Sequence, residues 1–69
     1  MKIYVIINVA NEIDGRLTAV KIEKAYKDKT QAEKFMASNK TSYLEDLQVD
    51  NQKLKMLCER NVQEVDLED

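Results

Sequence analysis

The sequence predicts an α+β fold: a β-hairpin, one or two short helices and a C-terminal strand, with a three-stranded antiparallel sheet of order 2-1-3 (ββαβ-like). Three observations lead there. The only glycine stands in "NEIDGRL", residues 11–17, between two alternating apolar stretches. No proline interrupts either stretch. Directly after the second stretch, Thr30 followed by Glu33 forms a capping-box pattern opening "TQAEKFMASN".

The hairpin follows from turn chemistry. An Asp-Gly pair between alternating segments favours a two-residue type I′ turn, whose central residues both need positive φ. With Asp14 and Gly15 as that turn, Val9 faces Val20, Ile7 faces Ile22, Val5 faces Lys24 and Ile3 faces Tyr26. This odd-numbered face collects the aliphatic residues and is the expected core; a slip of one residue would turn the whole set outward. The even face joins Tyr4 with Ala25, Ile6 with Glu23, Asn8 with Lys21 and Ala10 with Ala19. The first strand is apolar on both faces, which suits a central position, whereas the lysines of the second suit an edge.

In the helical segment, Ala32, Phe35 and Met36 form an apolar stripe, and Asn39 is a stop signal. A second box, Ser42 with Glu45, opens "SYLEDLQ" and predicts another short helix with Tyr43, Leu44 and Leu47 facing inward. Both helices are expected over the odd face of the hairpin. The last third reads in two ways. A heptad pattern through Leu44, Asn51, Cys58 and Leu47, Leu54, Asn61 suits a coiled coil, while the alternation of Leu54, Met56 and Cys58 suits a strand. The strand is preferred, over about residues 55–67, with a bulge near Asn61 and "VDNQ", residues 49–52, as the turn leading into it.

A chain of 69 residues is one domain, residues 1–69. Chains this small bury only about 60% of their unfolded surface and need help to be stable. Cys58 has no partner for a disulfide, and the absence of histidine excludes a Cys/His zinc site. Good packing or self-association remains, and a homodimer is expected. The longest apolar run, "IYVII" at residues 3–7, is too short for a membrane span or a signal-peptide core, so the expected setting is the cytoplasm with no membrane partner. Charge is uneven. Residues 1–40 carry eight basic and five acidic side chains (+3), and residues 41–69 three and eight (−5). Two halves that attract each other are the simpler explanation.

The catalytic inventory is short. Without histidine there is no Ser-His or Cys-His pair. Cys58 would need a neighbour such as Arg60 to lower its pKa, and a buried structural thiol is the preferred reading. Aligned on Gly15, a calcium loop would place Ala10 and Lys21 where carboxylates belong. One glycine cannot supply a phosphate-binding loop. The paired carboxylates Glu45-Asp46 and Glu64-Asp66 read as solvated faces. No catalytic residue, cofactor or metal is therefore expected, and the chain is read as not an enzyme. Two nucleic-acid readings stand as alternatives. Lys21, Lys24, Lys27 and Lys29 beside Tyr4 and Tyr26 could hold single strands, although a pI near 5.1 opposes this. The acidic end, with Glu59, Glu64, Asp66, Glu68 and Asp69, could mimic a row of phosphates.

The opening "MKIYVIINV", the following "VKIEKAYKDKTQAEKF" and the close "CERNVQEVDLED" together resemble small orphan proteins of tailed bacteriophages and prophages, across most of the chain. The resemblance implies a hairpin joined to a helix, an acidic final strand, and an accessory factor that binds and modulates or inhibits a host protein. It transfers no catalytic motif. A non-enzymatic protein-interaction module is the functional expectation, with a host protein or a second copy as partner. The candidate contact residues are Tyr4, Ile6 and Ala25 on the hairpin, complemented by Glu64, Asp66 and Glu68 at the acidic end.

Overall fold

The computed structural model describes residues 1–15 and 17–68. Its elements run β1 (Lys2–Glu12), β2 (Thr18–Tyr26), α1 (Lys29–Ser38), β3 (Ser42–Val49) and β4 (Gln52–Asp66). The four strands form one sheet of order β2-β1-β4-β3, with every neighbouring pair antiparallel. The expected α+β class, the central β1 and the pairing of the final strand with β1 all stand. A fourth strand, β3, is added at the edge, so the order 2-1-3 becomes 2-1-4-3.

That fourth strand replaces the second expected helix. Ser42 and Glu45 carry a capping-box spacing, yet Tyr43, Glu45, Leu47 and Val49 alternate on one face of a strand paired with β4. Pairing with a long neighbour outweighs a local helical signal that would yield barely two turns. "VDNQ" is the turn between β3 and β4, as expected. Asp50 and Asn51 have φ of 48° and 68°, the positive-φ pair of a type I′ turn.

The Asp-Gly turn differs. Glu12 and Leu17 close the β1–β2 hairpin through a 2.8 Å hydrogen bond from Glu12 N to Leu17 O, leaving a four-residue connection, and Gly15 N donates to Glu12 O at 2.8 Å. Only Gly15, at φ 77°, takes the left-handed conformation among the described residues of this connection, so this is a longer loop rather than a I′ pair. The register it sets is still the expected one from Asn11↔Thr18 to Ile7↔Ile22.

Beyond Ile7 the register changes. Ile7 pairs with Ile22 but Ile6 pairs with Lys24, leaving Glu23 as the extra residue of a bulge. From there Val5 pairs with Ala25, and Tyr4 with Tyr26. The bulge expected at Asn61 is absent: β4 runs in one unbroken register along β1, from Met56↔Glu12 to Asp66↔Lys2. The alternation of β2, with Glu23 and Lys24 both on the even face, is what shifts.

The bulge decides where the helix goes. Inserting one residue moves Tyr26 from the face of Ile3 to that of Tyr4, so the chain leaves β2 on the even side. There Tyr26 meets Phe35 of α1, ring centroids 6.3 Å apart. The helix therefore covers the even face and not the odd one. It packs on β1, β2 and β4 through the expected stripe of Ala32, Phe35 and Met36, with Ala32 fully buried. Its N-cap is Asp28, whose carboxylate accepts from Thr30 N at 2.9 Å, two residues before the expected cap. Asn39 ends it, donating its side-chain amide to Phe35 O at 2.8 Å.

Candidate functional site

Beneath and beside α1, side chains from all four strands meet in one polar cluster. Asn8 of β1 donates to Glu23 Oε1 at 2.5 Å and to the Tyr43 hydroxyl at 2.7 Å. Arg60 of β4 donates through Nε to the same Glu23 oxygen at 2.9 Å, and its guanidinium lies 4.6 Å from the centre of the Tyr43 ring. Another Arg60 nitrogen donates to Lys40 O at 2.6 Å, while its backbone N–H donates to Thr41 O, fastening the link from α1 to β3. The bulge projects Glu23 into this cluster. Asn8's donation, with the Arg60 guanidinium adding to it, holds the Glu23 carboxyl below its ordinary pKa against the opposing effect of burial. In the sequence Arg60 stands out only as an activator of Cys58; the signal for its role here is an arginine on the phase of β4 that also carries Leu54, Met56 and Cys58.

Farther along the same face, past the end of the helix, a cavity of about 180 Å³ is lined by Ala10, Lys21, Glu45, Met56 and Cys58, among others. Cys58 is buried, as expected, and its Sγ donates to a Glu45 oxygen at 3.6 Å. Burial and then the Glu45 carboxylate push its pKa up, so the thiol stays protonated at neutral pH. Arg60 is committed to Glu23 rather than to this thiol. A reactive thiolate has no support at this position.

Among the described residues, no helix lies on the opposite face of the sheet. Cross-strand partners share a face, so Ile3, Val5, Ile7 and Val9 of β1 lie there with Val20, Ile22 and Ala25 of β2. Val65 of β4 adjoins this set, and Leu57 of β4 with Leu44 of β3 share the face farther along, beyond Gln63, Asn61 and Glu59. Ile22 is 69% exposed, Val20 65% and Leu44 61%. Single exposed aliphatics are ordinary, but those of β1 and β2 are neighbours on one face of the sheet.

The expected contact residues are dispersed by these facts. Ile6 is fully buried under the helix and presents no free surface, and Tyr4 is half-buried and presents only part of its side chain. Ala25 is exposed but points to the other face, paired with Val5, because the bulge separates it from Tyr4. Glu64 and Asp66 are exposed on Tyr4's face, where Glu64 lies 3.8 Å from Lys2 and Asp66 lies 3.9 Å from the Met1 amino group. Glu68 is exposed past the end of β4. The basic start and acidic end of the chain thus meet. Glu59 lies on the opposite face from Glu64 and Asp66, so they form no single row, and Asp69 is outside the described residues. Tyr26 packs on Phe35, and Lys24 Nζ sits 6.0 Å from both ring centres, which takes the expected base-stacking platform into the helix contact.

Comparison with known proteins finds no matching family model, no matching curated protein and no matching solved structure.

Proposed function

We propose that this chain is a non-enzymatic protein-interaction module that docks through the open, odd-numbered face of its sheet. The phage resemblance adds a role to that reading: an accessory factor that acts by occupying a surface of a host protein or of a second copy of itself. The observation carrying the proposal is the exposure of Ile22 (69%) and Val20 (65%) beside the half-buried Ile7 and Val9, on a face that no other element among the described residues covers. A folded sheet buries one face against another element, and a second apolar face is normally covered too. The polar cluster around Arg60 supports the reading from the other side, since it fixes the edge strands and keeps the open face in one shape.

The test compares binding by the wild-type chain, Ile22→Glu and Leu47→Glu, the last being an exposed position on the helix-bearing face. Ile22→Glu should abolish protein association while leaving the circular dichroism spectrum unchanged, and Leu47→Glu should preserve association. Loss with Leu47→Glu alone would place docking on the wrong face. Retention on a polyanion column that weakens steeply with salt would favour a nucleic-acid partner instead.

A further inference from the structure

We infer that the occupant of the open face is a second copy of this chain, packed face to face so that two sheets form a sandwich with the helices outside. This rests on the docking reading above and adds the partner's identity. Three observations lead to it.

The first is charge. The strand residues on the open face carry two cationic side chains, Lys53 and Lys55, and two anionic ones, Asp46 and Glu59, with Lys55 directly opposite Asp46. The face is therefore neutral (+2 − 2 = 0) in a chain of net charge −2. Its most apolar part, over β1 and β2, has no charged residue between Asn11 and Ile3 or between Thr18 and Ile22 on that side. A two-fold interface brings a patch against its own image, which repels itself unless it is close to neutral. A neutral patch selects no partner of either sign, but it can meet itself.

The second is size. Four strands about 4.8 Å apart and some eight residues long, at about 3.3 Å per residue, project roughly 500 Å². Accessible area exceeds projection once side chains are counted, so the face is on the scale of the ~800 Å² that each partner gives to a standard interface.

The third is the thinness of the core. Buried hydrophobic residues among those described are Val5, Ile6, Ala32, Met56 and Cys58, and the molecule measures only 17 Å along its shortest axis. One ten-residue helix is the whole second layer among the described residues. A chain with no disulfide gains most from covering its second face, and face-to-face packing of sheets about 10 Å apart supplies that layer.

The experiment is sedimentation equilibrium over a wide concentration range on the wild-type chain, Ile22→Glu and Leu47→Glu, joined to NMR of a mixed sample of labelled and unlabelled wild-type chains. The expected result is a wild-type dimer of twice 8.0 kDa, intermolecular contacts from the Val20 and Ile22 methyls, and a dimer retained by Leu47→Glu. Ile22→Glu should raise the dissociation constant on the order of 1,000-fold, because each dimer loses the anchor twice. If Ile22→Glu fails to fold, the wild-type methyl contacts decide the matter alone. A dimer whose intermolecular contacts come from other residues overturns the proposal. So does a wild-type monomer, and there a soluble paramagnetic probe separates the two readings. Methyls of Val20 and Ile22 that the probe reaches leave the face free for a different protein, whereas shielded methyls in a monomer overturn the docking face as well.

Discussion

Arg60 Nε lies 2.9 Å from Glu23 Oε1, joining the inner strand β4 to the bulge of the edge strand β2 across 37 positions of sequence. Both side chains are about 15% exposed, so the pair is screened far less than a surface ion pair. Its value lies in what else each partner holds. Arg60 reaches β3 and the α1–β3 link, and Glu23 takes the Asn8 amide, so a single contact ties β2, β1, β4 and β3 at one level of the sheet.

Arg60→Ala should therefore destabilise the fold by about 3 kcal/mol, because it leaves Glu23 without its cation and the Lys40 carbonyl without its donor. Arg60→Lys should recover less than half of that, since an ammonium cannot serve Glu23 and Lys40 together in the guanidinium's fixed geometry. Urea unfolding monitored by circular dichroism measures both. A loss under about 0.5 kcal/mol for Arg60→Ala would reduce the cluster to a surface feature.

Acid should weaken the protein through Glu23. Its folded-state pKa is lowered, first by the hydrogen bond from Asn8 and then by Arg60. A lowered carboxyl contributes stability that is fully present above the unfolded value of about 4.3. That contribution fades as pH falls below this value and is gone once pH has dropped past the folded one. Glu23→Gln should flatten the stability profile in this acidic window. An unchanged slope in the variant would mean that other carboxyls set the acid response.

Cys58 should react slowly with iodoacetamide in the native protein at neutral pH and rapidly in denaturant, since burial and Glu45 keep the thiol protonated. Removing the carboxylate in Glu45→Gln should lower the thiol pKa, with burial still holding part of the shift. The same raised pKa gives stability that is complete below the unfolded value of about 8.5 and is lost as pH climbs through the folded value. Alkylation rates measured against pH check the thiol statements, and urea unfolding repeated across the alkaline range checks the stability one.

Gly15→Ala should cost about 1 kcal/mol. An added Cβ would meet nothing within 4 Å, so the penalty is that of placing an L-residue at φ 77°, not of a clash. Gly15→Asn should cost less than Gly15→Ala. In the other turn, Asn51 at φ 68° should accept glycine with little change but lose about 1–2 kcal/mol on conversion to valine. Thermal melts of the four variants give the ranking.

Much of the fold was legible in the chain. The alternation around Ile7 and Ile22 gave the hairpin and its register near the turn, and Val9 does face Val20. The Ala32, Phe35 and Met36 stripe and the Asn39 stop described the helix, and the alternating Leu54, Met56 and Cys58 described the last strand. The segment "SYLEDLQ" was not legible, because its local pattern suits either a helical turn or a strand and only the adjacent β4 selects between them. That Tyr4, Ile6 and Ala25 do not form one exposed patch was hidden for a different reason. Tyr4, Ile6 and Ala25 share a face only if β2 alternates without interruption, and one unpaired residue at Glu23 breaks that condition.

The sequence by itself determined that β1 would be apolar on both sides and central, that a helix would follow β2, and that no histidine chemistry would operate. Only the tertiary structure decided which face the helix would cover. Period-two alternation labels two faces but cannot say which one a later element will reach. Here the Glu23 bulge turns Tyr26 toward Tyr4, the helix follows Tyr26, and the aliphatic face around Ile22 is left open.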